Sequence, residues 1–149
     1  MTMTLHFTES IQAPPEVVWG TLIDPVTYPE WTAAFCEGSR FQGSWEAGAE
    51  IRFLAPGGDG MISVIAENRP FECLSIRHLG EVRGGVDDTT SEAVLAWAPA
   101  YETYHFAATA AGTELRVSLD VALDWASAMQ TMFPKALARL KALCEGGRP

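Results

Sequence analysis

At 149 residues, 48% hydrophobic and 19% charged, the chain is long enough for one domain with a proper core and too apolar to be disordered. The formal net charge is -9, from 10 basic and 19 acidic side chains. That argues against nucleic acid or an anionic membrane as the main partner, since both need a basic face.

Thr4 to Gln12 alternates, with Leu5, Phe7 and Ile11 on one face, and reads as a strand. Glu9 shares that face, which is unusual. Pro14 and Pro15 stop the strand, and Glu16 to Ile23 follow as two turns of helix. Pro15 fits the first turn, where a missing N–H costs nothing. Asp24-Pro25 end this helix, and Tyr28, Pro29 and Trp31 open a second, shorter one. Trp19 and Trp31 read as wedges where these two helices meet the rest of the fold.

From Phe35 onward the chain becomes short strands divided by glycine. Arg40–Trp45, Glu50–Ala55, Met61–Glu67 and Cys73–Leu79 are strands, separated by Glu46-Ala47-Gly48, by Pro56 to Gly60, and by Asn68-Arg69-Pro70. Leu74, Ile76 and His78 share one face of the last of these, and Ser75 and Arg77 the other, so Arg77 is expected in solvent. Gly80–Asp88 reads as a polar loop, with Asp87, Asp88 and Glu92 a solvated acidic cluster. Thr89 and Glu92 have the spacing of a capping box, predicting a short helix over Ser91–Trp97.

Tyr101–Thr109 and Glu114–Leu123 are the last two strands, the second the most regular, with Leu115, Val117, Leu119 and Val121 inward. Asp124 can cap a final helix from Trp125 to Cys144. Met129, Met132, Phe133, Ala136, Leu137, Leu140 and Cys144 form its apolar stripe. Pro134 inside it predicts a kink or a break. Residues 145–149 read as a frayed tail, and 1–149 as a single domain.

Cys36, Cys73 and Cys144 are odd in number, far apart and form no CxxC, as expected of reduced thiols in a cytoplasmic protein. No signal peptide and no membrane span are expected.

The order of elements predicts an α+β fold: a curved antiparallel sheet of about six to seven strands wrapped around the long C-terminal helix, with a cavity between them. APPEVVW with LIDPVTYPEW, then GSWEAGAEIRF, NRPFECLSIRHLGEV and YETYHFAATAAGTELRVSLDV, resemble the START-like, or Bet v 1-like, superfamily (SRPBCC). They are similar to its branch of bacterial homologues of the activator of heat-shock-protein ATPase. The resemblance spans about 5–145 and implies the helix-grip fold; superfamily members range from lipid carriers to cyclases and co-chaperones, so it fixes no function. An oxygenase-type iron site is not expected, because only His6, His78 and His105 are present and His6 lies on the first strand. No metal and no cofactor are expected.

His78, on an apolar face, is either a hydrogen-bonded core histidine or a ligand contact. Glu102 shares a face with Tyr104 and Phe106, and a carboxylate there needs a partner. The resemblance makes Glu102 and Tyr104 pattern residues. If its strand pairs with that of His78, the two side chains meet inside the cavity. Trp45, Phe53, Ile76, Phe106, Met129 and Phe133 are expected to line the pocket, with His78, Glu102 and Tyr104. The reading that follows is binding of a small hydrophobic or aromatic molecule by a monomer or homodimer. Two alternatives stay open: a cyclase-, aromatase- or hydrolase-like enzyme using His78 with Glu102 or Tyr104 as acid and base, and a co-chaperone-like or stress-response interaction module.

Overall fold

The computed structural model describes residues 1–146. Strand β1 (Thr2–Ile11) leads into helices α1 (Pro15–Ile23) and α2 (Tyr28–Thr32). Strands β2 (Arg40–Gly43), β3 (Glu50–Leu54), β4 (Gly60–Arg69), β5 (Cys73–Arg83) and β6 (Val86–Asp88) follow. Helix α3 (Glu92–Leu95), strands β7 (Ala100–Thr109) and β8 (Gly112–Ala122) and helix α4 (Leu123–Cys144) complete the chain. The strands form one antiparallel sheet in the order β1-β8-β7-β5-β4-β3-β2, with β6 paired to β5. β1 thus closes the meander beside β8, and the sheet has eight strands where six to seven were expected.

The additional strand lies in the segment read as a polar loop. β5 runs on to Arg83, Gly84 and Gly85 turn the chain with φ of 55° and 78°, and Val86 pairs with Arg83. Positive φ at both turn residues is what a tight hairpin requires, and glycine meets it without strain. The acidic cluster is not simply solvated. Asp87 accepts from the two terminal guanidinium nitrogens of Arg52 at 2.9 and 2.8 Å, which pins β6 across β3 and holds its carboxyl below the usual range. Asp88 Oδ1 accepts from the Thr90 and Ser91 N–H groups. Ser91, not Thr89, caps α3, its Oγ accepting from Val94 N at 3.2 Å.

The middle of the α4 stripe is buried as its spacing implied, Phe133, Ala136, Leu137 and Leu140 each at most 2% exposed, while Met129, Met132 and Cys144 are half-buried. The helix packs on β1 and is braced by α1 and α2. It passes through Pro134 without a break. Pro134 and Gln130, whose carbonyl loses its partner, are both exposed, so water can serve that carbonyl. Asp124 does not cap the helix. Ala122 occupies that position and Asp124 lies in the first turn, where its charge favours the helix dipole. Of the tail, residues 147–149 lie outside the described residues. Glu145 is tied down, accepting from Gln12 N at 2.8 Å and pairing with Lys141 at 3.1 Å.

Glycine controls one junction. Gly112 has φ of 148°, and a Cβ there would lie 2.3 Å from the Ile11 carbonyl oxygen and 2.7 Å from Ala13 N. Gly112→Ala should therefore cost about 1–3 kcal/mol in urea unfolding, by forcing the end of β1 away from β8. A wild-type midpoint would show that this end of the sheet gives way freely.

Candidate functional site

The curved sheet holds α4 off its concave face and leaves a cavity of about 700 Å³. Ile76 and His78 of β5, Glu102 and Tyr104 of β7 and Leu119 of β8 form its floor. Met129 and Phe133 of α4 cover it. Tyr28 and Trp31 of α2, with Trp45 and Phe53, make the wall. The mouth is rimmed by Met1, Trp97, Leu123 and Trp125, of which Met1, Leu123 and Trp125 are exposed.

The wall forms because short apolar elements converge there. The Tyr28 ring meets Phe41 edge-on at 5.2 Å and Trp31 at 5.7 Å. Phe53 lies between Trp45, at 5.7 Å, and the His78 ring, at 5.8 Å. Phe133 stacks on Phe7 of β1 at 4.9 Å. Trp45 Nε1 is buried without a hydrogen-bond partner among the described residues.

One polar chain crosses this apolar interior. β5 and β7 are neighbours, with Ile76 opposite Glu102 and His78 opposite Ala100, so the His78 and Glu102 side chains project side by side. His78 Nε2 lies 2.9 Å from Glu102 Oε1, and the Tyr104 hydroxyl donates to Glu102 Oε2. On the other side, Ser63 Oγ lies 2.6 Å from His78 Nδ1. The His78 side chain is 8% exposed and that of Glu102 19%, the latter open to the cavity. Burial, and then the nearby Glu102 charge, push the Tyr28 and Tyr104 phenols well above their ordinary range. Both therefore stay protonated and can act only as neutral hydroxyls.

Of the residues expected at the pocket, Trp45, Phe53, Ile76, His78, Glu102, Tyr104, Met129 and Phe133 lie around this cavity. Phe106 does not. It packs beneath α1 against Trp19 at 5.2 Å, because β7 runs on past the cavity toward the helical end. Arg77, expected in solvent, is half-buried with its Nε unpartnered.

Ser63 and Tyr28 were not foreseen. The β4–β5 register shifts between Ile62 and Ser63, so Ile62 faces Gly80 while the next residue faces His78. This bulge turns Ser63 onto the imidazole and brings Glu81 and Arg83 to the cavity mouth, which strict alternation forbids. Tyr28 carried a weak signal, an aromatic with a polar tip at the start of a helix too short to bury it alone.

Among the described residues no three His, Cys, Asp or Glu side chains gather as a metal cluster, and no helix is long and apolar enough to cross a membrane.

Known family models and curated proteins give no match to the sequence. Solved structures do. The Aha1 dimer from Colwellia psychrerythraea matches with a TM-score of 0.76 and 17% identity, covering 99% of both chains. A protein from Mesorhizobium loti matches at 0.73 and 19% identity, covering 99% of this chain and 100% of that one. DynU16, a protein in the dynemicin biosynthetic locus, matches at 0.71 and 17% identity, over 97% of this chain and 48% of its own. These likenesses, with the curved antiparallel sheet and the long C-terminal helix, show that the chain has the START-like, or Bet v 1-like, helix-grip fold.

Proposed function

We propose that the chain binds a small, largely apolar or aromatic molecule between the sheet and α4. The observation that carries this reading is the cavity of about 700 Å³, walled by aromatic rings and Met129, with the His78–Glu102–Tyr104 cluster on its floor and Arg40, Asp59, Glu81, Arg83, Asp120 and Asp124 also bordering it. Pockets for small organic ligands have this size and this division between apolar wall and few orienting groups. Acid–base catalysis by His78 is less well supported, because Ser63 and Glu102 occupy both of its ring nitrogens. Ser63 is wholly buried and does not border the cavity, so it is no nucleophile. The same reading takes the protein as cytoplasmic, as a monomer or a homodimer; the Colwellia structure is of a dimer.

The test is a fluorescence titration with N-phenylnaphthylamine, a neutral apolar probe. The wild-type chain should enhance its emission saturably. Met129→Trp, which fills the space under α4, should weaken binding by about tenfold or more without lowering the melting temperature. No saturable enhancement with the wild-type chain would overturn the reading.

A further inference from the structure

The polar chain on the cavity floor carries a carboxylate that no arginine, lysine or N-terminal ammonium pairs with among the described residues. Ser63 is fully buried, and its only hydrogen-bond partner among the described residues is His78 Nδ1. Were the imidazole proton on Nδ1, Ser63 Oγ would accept it and leave its own O–H unpaired in the interior. With the proton on Nε2, the Ser63 hydroxyl donates to Nδ1, Nε2–H donates to Glu102 Oε1, and every group is satisfied. Tyr104 donates to Oε2. Both oxygens of Glu102 then accept, which is the pattern of an ionised carboxylate held by neutral donors.

Among the described residues no guanidinium or ammonium pairs with this carboxylate; the Met1 ammonium, at the cavity rim, donates to the Ala96 carbonyl at 3.5 Å. Arg40 and Arg83 border the cavity, but Arg40 donates to the Ala55 carbonyl at 3.1 Å and Arg83 pairs with Glu81 at 3.1 Å. Each carboxylate oxygen keeps a free lone pair, and the side chain opens into the cavity. Tyr28, Trp45 and Phe53 share that space, their ring centroids 5.7 to 6.4 Å apart. Aromatic faces attract cations, and more strongly where water is excluded. A ligand carboxylate, by contrast, would bring a second negative charge to Glu102 in a poorly solvated site.

We infer that the ligand class this cavity selects is an apolar amine, whose ammonium group donates to Glu102 while its hydrocarbon or aromatic body fills the space beneath α4. This rests on the cavity being a binding site, as proposed above, and makes Glu102 its specificity-determining residue.

Calorimetric titration of the full chain with naphthylmethylamine, naphthylmethanol and naphthoate separates the two proposals. The three probes share a body and differ in the charge of one short arm. The amine should bind about tenfold or more tighter than the alcohol, and naphthoate weakest of the three. In Glu102→Gln the amine should fall to within about threefold of the alcohol, whose own affinity stays within about threefold of wild type. Retained alcohol binding shows that the variant is folded, and the wild-type comparison stands by itself if it is not. Amine and alcohol binding the wild-type chain alike, or naphthoate binding tightest, would overturn the amine assignment and leave cavity binding intact. No binding by any of the three would overturn both.

Discussion

Replacing Trp31 with alanine should lower the unfolding free energy by about 3–5 kcal/mol, the range for removing a large aromatic ring from a packed interior. Trp31 is 2% exposed and stands where α2 meets α4 and the cavity wall. Its ring packs edge-on against Tyr28 at 5.7 Å and Phe35 at 6.5 Å. Its Nε1 donates to the Leu22 carbonyl at 3.1 Å, near the end of α1. Alanine removes both the ring and that donor, so the carbonyl is left unpaired and the two short helices lose their common anchor. Trp31→Phe keeps most of the ring and loses only the N–H, and should cost about 1–3 kcal/mol. Urea unfolding of the two variants beside wild type measures both. Equal midpoints for Trp31→Phe and wild type would show that the hydrogen bond to Leu22 contributes nothing. A small loss for alanine would show that the cavity simply expands to absorb the missing ring.

The same residue shows what could be read in the sequence. Trp19 and Trp31 were expected as wedges at the helical junction, and Trp31 is one; it also forms cavity wall. Strand β8 was legible because Leu115, Val117, Leu119 and Val121 alternate without interruption, and all four are buried. The buried stripe of α4 was legible for the same reason at helical period. Both signals come from a regular backbone facing a single core. The failures sit where the backbone is irregular. The bulge between Ile62 and Ser63 changes which side chains of β4 and β5 share a face, and periodicity carries no mark of it. The hairpin at Gly84-Gly85 was hidden because its strands are polar, so composition read as a loop. Phe106 had the right parity but the wrong height on its strand, and parity says nothing of height. The meeting of His78 with Glu102 was foreseen on condition that β5 and β7 pair, a matter of topology rather than of either strand's sequence.

That meeting carries the second large effect. His78→Leu should lower the unfolding free energy by about 2–4 kcal/mol, although leucine suits a buried strand position. The loss is not of packing. It leaves the Ser63 hydroxyl, wholly buried, without a partner, and Glu102 with only the Tyr104 hydroxyl on its carboxylate. Glu102→Leu should cost less, about 1–2 kcal/mol, because the carboxylate opens to the cavity and already keeps some hydration, while His78 and Tyr104 lose an acceptor. The double variant should be more stable than the sum of the single losses by about 1–2 kcal/mol, since it leaves fewer buried polar groups unpaired than the two single variants together. A full cycle by urea unfolding gives this coupling directly. Additive losses would mean that the two groups act independently and that His78 does not hold the carboxylate in place. A strong coupling has a consequence for binding. A chain selected for stability alone would do better with apolar residues at both positions than with an ion-bearing pair whose partners lie on three strands. Retaining a carboxylate here, fixed by His78 and Tyr104 and facing an aromatic wall, is costly to the fold and favourable to a ligand that can donate to it.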